Sequence, residues 1–132
     1  MNRASEWPEH AALARPSARP TFGQALETRE VAGFMLRDVR YPTDVRVPKH
    51  MHEVAGIAVI LEGGYEKWMR GRTFDCVRGV VTVEPAGERH AEREGRCGAR
   101  CLLVDVLPPR ANELRQITPL LESPRMAAIS PD

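Results

Sequence analysis

Three of the four histidines in this 132-residue chain stand where their rings can be gathered around one point. His50 and His52 are one residue apart in VPKHMHEVAGIAVIL, at the entrance to a nearly unbroken apolar run. Alternate residues of a strand share a face, so both imidazoles enter the same space and can chelate one ion. Taken alone, the pair equally fits two polar side chains on a strand edge. His90 shifts the balance. It follows Gly79, five residues, Pro85-Ala86-Gly87 and two more residues. Pro and Gly here make a tight turn between two strands, and such a hairpin can bring His90 beside the other two. Three imidazoles with open coordination positions suit a divalent transition metal, and the residue types do not rank Zn, Ni and Fe.

The parity of His50 and His52 runs on through Val54, Gly56, Ala58 and Ile60, and turns Glu53 and Ile57 to the other face. Tyr65 and Trp68 follow the Gly63-Gly64 pair closely enough to line a pocket mouth, or else pack on a sheet face. Glu92 shares the parity of His90, and with Tyr65 it is the candidate for proton transfer beside a metal. The expected ligand pocket is therefore Gly56, Ala58, Tyr65, Trp68 and Glu92, next to a metal set of His50, His52 and His90. No residue is singled out as catalytic.

The elements that must position these groups are short and strand-like. From Val31 to Leu107 the chain reads as apolar runs near ten residues apart, broken by turns such as Glu62-Gly63-Gly64 and Arg70-Gly71-Arg72. That texture indicates an all-β antiparallel sandwich or barrel. Residues 1–28, rich in Pro, Ala, Arg and Glu, read as a mobile N-terminal arm. Residues 29–109 form the barrel, and 110–132 a helical tail in which RANELRQITPLLES places Leu114, Ile117 and Leu121 on one side. GIAVIL is apolar at both parities, so that strand needs a cover outside as well as inside. A second copy is a natural cover, and a homodimer is expected.

The two histidine stretches resemble the two signature motifs of the cupin superfamily. The second matches through Gly79, Pro85, Gly87 and His90, with Glu94 where that family often has Asn. The first matches through His50, His52 and Gly63. Its opening glycine falls on Asp44, and its metal-binding glutamate falls on Gly56, which offers no ligand. The resemblance implies a cupin-type β-barrel (double-stranded β-helix or jelly roll) over residues 31–107. It also implies a three-histidine site completed by water or a small ligand, with a metal-free cavity as the alternative. More narrowly, LEGGYE, FDCVRG and PAGERH are similar in texture to the N-terminal sensor cupin of AraC-type transcription regulators. The tail lies where those regulators place the helices that join sensor to DNA reader.

Composition narrows the field further. The net charge of +1, with 19 Lys and Arg against 18 Asp and Glu, supplies no basic field for direct nucleic-acid binding. No apolar run reaches the ~20 residues of a membrane span. An N-terminus without an apolar signal region and an odd set of cysteines, Cys76, Cys97 and Cys101, point to a reducing cytoplasm. The expected function is a ligand- or metal-sensing cupin domain related to the regulatory part of AraC-type regulators. The alternative is a small metal-dependent cupin enzyme, a dioxygenase or isomerase, working from the three histidines.

Overall fold

The structure is a computed structural model that describes residues 23–129. Among these, eight strands and one helix follow in the order β1 Gln24–Val31, β2 Phe34–Tyr41, β3 Arg46–His50, β4 Gly56–Met69, β5 Arg72–Val77, β6 Val80–Glu84, β7 His90–Val106, α1 Pro108–Arg115 and β8 Arg125–Ala128. Every pairing is antiparallel. The architecture is the all-β antiparallel barrel that the strand spacing predicts.

Two long strands organise it. β4 and β7 run 14 and 17 residues and pair with each other along most of that length. Their outer halves, Gly56–Ile60 and Ala99–Val106, sit in a layer ordered β1-β2-β7-β4-β6-β8. Their other halves form a second layer with β3, paired to β7, and β5, paired to β4. The sequence reads a turn at Glu62-Gly63-Gly64, but the strand continues through it. Register shifts at Ile60/Glu62 and Gly63/Tyr65 mark bulges, which bend a strand without ending it. Gly63 has φ 67° and Gly98, on the facing strand, φ 65°. A Cβ on Gly63 would run into the Gly98 carbonyl, so the two long strands can turn the corner together only with glycine there.

Two clusters make up most of the core. Between the layers lie Ile60, Tyr65, Cys76, Val80, Ala99 and Cys101. A second cluster joins Ala55, Val83, Val106, Ala111 and Leu121, with Phe34, Ile57 and Leu114 packed against it. This cluster answers the two-sided apolarity of GIAVIL in part: Ile57, on the outer face of β4, is covered by α1 and Leu121 of the same chain. Leu61 stays exposed.

The tail departs from expectation. Pro108 and Pro109 open α1, where a missing N–H costs nothing, and the helix ends at Arg115. Leu114 is half-buried and Leu121 buried, but Ile117 is 79% exposed, because the helical period stops before it. Residues 125–128 form β8 on the edge of β6, and are not helical. At the other end, β1 begins at Gln24 and pairs with β2, so residues 24–28 belong to the sheet and not to an arm. Residues 1–22, the rest of the expected arm, lie outside the described residues, as do 130–132. No helix among the described residues is long and apolar enough to cross a membrane.

Candidate metal centre

His50 is the last residue of β3 and His90 the first of β7, and the two are direct partners across that pair. His52 lies just past the end of β3, in the loop to β4, and not on the strand itself. That loop is held by the second motif: the Gly87 N–H donates to the His52 carbonyl at 2.9 Å. Gly87, at φ 77°, makes the turn that places this N–H. The three rings gather as a result, with centroids 4.2 Å apart for His50 and His90, 4.9 Å for His50 and His52, and 5.3 Å for His52 and His90. One ring nitrogen from each lies within 4.8 Å of the others.

Backbone hydrogen bonds decide which nitrogens face inward. His50 Nδ1 lies 2.8 Å from the Pro48 carbonyl and His90 Nδ1 3.0 Å from the Glu88 carbonyl. A carbonyl only accepts, so Nδ1 carries the proton in each ring and Nε2 is the unprotonated nitrogen. Burial holds His50 below the usual histidine range, against the pull of Glu92. Burial, followed by the Lys67 ammonium, holds His90 well below it. Both rings are therefore neutral, the form that ligates metal.

The cavity beside them has a volume of about 50 Å³ and includes Gly56, Ala58, Tyr65 and Glu92 in its wall. Those four expected pocket residues thus come together with the three histidines. Trp68 does not. It is buried on the opposite face of β4 against Ala91, with the Lys49 ammonium 4.3 Å from its ring centre. Residues three apart on a strand cannot share a face, so Tyr65 and Trp68 were never compatible as one pocket wall. Glu53 is exposed, as its parity implies. Asp44, at the family's glycine position, has φ 57°, a conformation that Asp tolerates better than most residues.

Two charged residues that the sequence does not single out complete the site. Lys67, directly opposite Glu92 across β4 and β7, is 1% exposed. Its ammonium pairs with Glu84 and lies 3.5 Å from Glu92 Oε1. Glu84 Oε2 stands 3.4 Å, and Glu92 Oε1 3.8 Å, from His90 Nε2. With His90 neutral, these are contacts between lone pairs and not ion pairs. The Lys67 ammonium is the cation shared by the two carboxylates. Alternation was the available signal: Glu84 shares parity with the buried Thr82, and Lys67 with Tyr65. Deeper in the barrel, Arg37 pairs with Asp105. Tyr65 and Tyr41 are held protonated by burial, with Glu92 adding to the effect. Burial also pushes the Cys101 thiol up to about 12, which makes it inert.

No protein-family model and no curated protein matches the chain. Solved structures do. A cupin superfamily protein from Desulfitobacterium hafniense is 18% identical with a TM-score of 0.55, the match covering 81% of this chain and 89% of that one. The cupin domain of Cnp3 from Schizosaccharomyces pombe is 20% identical with a TM-score of 0.57, covering 73% and 71%. KdgF from a Halomonas species is 17% identical with a TM-score of 0.54, covering 64% and 84%. Two layers sharing two bent strands, three gathered histidines and these neighbours agree on one conclusion: the chain has the cupin fold.

Proposed function

We propose that this chain binds one divalent transition metal ion, Zn, Ni or Fe, at His50, His52 and His90, and that the ion is the signal it responds to. The observation that carries this is the gathering of one ring nitrogen from each of His50, His52 and His90 within 4.8 Å of the others, with the Nδ1–H bond to the Glu88 carbonyl turning His90 Nε2 toward Glu84 and Glu92. Such a gathering of acceptors calls for a cation. A bound ion would supply Lewis-acid charge and open positions for a small oxygen-donor ligand. The volume of about 50 Å³ leaves room for an ion with a water or two, which favours sensing over turnover of a bulky substrate.

The regulatory role rests on the resemblance of LEGGYE, FDCVRG and PAGERH to AraC-type sensor cupins. A homodimer belongs to the same reading, supported by exposed Leu26, Val31, Leu61 and Val77 on the outer surface. A reducing cytoplasm fits the three unpaired cysteines. The test is elemental analysis of tag-free protein, wild type beside His52→Ala. Near-stoichiometric metal lost in the variant supports the reading, and equal metal content in the two sinks it.

A second reading, a small metal-dependent enzyme, is favoured by Tyr65 and Glu92 lining the same cavity as the imidazoles. Tyr65, held protonated, would orient a substrate by donating a hydrogen bond and would not act as a base. Oxygen uptake with Fe(II) and small organic acids or thiols, abolished in His52→Ala, would favour this reading.

A further inference from the structure

We propose that Glu84 takes over the ligand position that Gly56 leaves without a carboxylate, so that the metal is held by three histidines and Glu84, and that Lys67 is the ion's internal competitor for that carboxylate. The inference rests on the three-histidine reading and adds to it. Gly56 and Glu84 are direct partners across β4 and β6, so a carboxylate reaching from Glu84 enters the cavity beside the Gly56 backbone. Position 56 is open to this arrangement because glycine presents no side chain there. Glu84 also fits His90 by distance, in a group whose ligand atoms, with Glu92, lie within 4.8 Å of one another. Two ligands about 2.1 Å from one ion at a tetrahedral angle lie roughly 3.4 Å apart. Glu84 Oε2 and His90 Nε2 are 3.4 Å apart.

The other carboxylates fit less well. Glu92 is further from His90, at 3.8 Å. Asp105 is taken up by Arg37. Lys67 then has a definite part. Its ammonium answers Glu84 and Glu92 together, one positive charge against two negative ones. An ion arriving at the histidines replaces it as the partner of Glu84, leaving Lys67 to Glu92. Metal affinity is thereby set by competition within the site.

The experiment is titration of chelator-treated full-length protein with Co²⁺, read by competition with a chromophoric chelator and by the visible Co²⁺ spectrum. Glu84→Gln is expected to weaken binding roughly 100-fold and to alter the visible bands, since even groups that only orient a ligand are worth about 10–100-fold. Gly56→Glu added to Glu84→Gln restores affinity, because a Cβ at position 56 meets nothing nearer than 3.6 Å. Lys67→Met tightens binding about tenfold, on the same scale of ligand effects. Glu66→Gln, on the outer face of β4, serves as control.

If Glu84→Gln unfolds because Lys67 loses its partner, Glu84→Gln/Lys67→Met removes both charges and must still bind far more weakly than Lys67→Met alone. Full affinity in Glu84→Gln, or in that double variant relative to Lys67→Met, overturns the proposal. So does a loss found in Glu92→Gln instead. His52→Ala separates the two levels: if it alone abolishes binding, the histidine site stands and Glu84 falls, whereas unchanged affinity in His52→Ala removes both.

Discussion

His50 and His90 face each other across a single β3–β7 pair, their ring centres 4.2 Å apart, and each ring is steered by a carbonyl two residues before it. The same local device is used twice, once at the end of a strand and once at the start of one. It fixes the ring tautomer before any ligand arrives. An ion therefore meets a site that needs little rearrangement at two of its ligands.

Metal should stabilise the fold in proportion to its occupancy. Zn²⁺ at 100 times its dissociation constant is expected to add about 2.7 kcal/mol, lost again on chelation. His90→Ala should show no such gain. Thermal melting of both proteins with and without Zn²⁺ reads this directly, and an equal rise in the variant would place the ion elsewhere.

Lys67 should be costly to remove from the metal-free protein. Taking one partner from a buried ionic cluster typically costs about 3–5 kcal/mol, and Lys67→Met strands Glu84 and Glu92 against each other. Added Zn²⁺ should recover about 1.4 kcal/mol of that loss, the equivalent of the tenfold tighter binding. Urea unfolding with and without metal is the measurement, and a variant as stable as wild type without metal would deny Lys67 its role.

Glu94 gives the chain a definite pH dependence. It is buried, with no hydrogen-bond partner for either oxygen, and its pKa is raised to about 8, first by burial and then by Glu92. An unfolded chain releases this proton near pH 4.5, while the folded one keeps it until about 8. The folded state holds the extra proton between these values, so stability falls as pH rises across the window. Glu94→Gln should match wild type near pH 4 and melt progressively higher than wild type up to pH 9. A melting difference that does not change with pH would contradict this.

Gly63 and Gly71 both have positive φ but differ in surroundings. A Cβ on Gly63 meets the Gly98 carbonyl, whereas one on Gly71 meets nothing within 4 Å. Gly71→Ala should cost ~1 kcal/mol of left-handed strain, and Gly63→Ala well over ~2. Equal costs in urea unfolding would mean that the strand corner does not depend on that close approach.

The histidines were legible because close spacing and turn chemistry are local: two residues within HMH, and one after the Pro85-Gly87 turn. The barrel was legible for the same reason, in the spacing of short apolar runs. What stayed hidden depends on register. Nothing in the sequence near Glu84 shows that it will lie across from Gly56, or that Lys67 will face Glu92. The parity count along β4 also fails at its bulges. Ile60 and Tyr65 both point inward although they are an odd number of residues apart, so a count carried from Ile60 puts the wrong face of YEKWM inside. Trp68 was placed by its nearness to the Gly63-Gly64 pair, which does not decide the face it takes. The tail was misread because β8 owes its conformation to the open edge of β6, a partner far off in sequence.

The two shared strands have a consequence for how the protein comes into being. β7 holds both barrel layers through β4, β3 and β2, yet it is the last of the long strands to be synthesised. Three of the seven pairings, those to β2, β3 and β4, wait for it, the signature of a slow, high-contact-order folder. His50 and His52 emerge well before His90 does, and Glu84 lies against Gly56 only once β6 has docked. A nascent chain therefore offers an ion two loosely held imidazoles at most. On the proposed reading, metal would be captured tightly only after folding is complete, and it would not nucleate the fold.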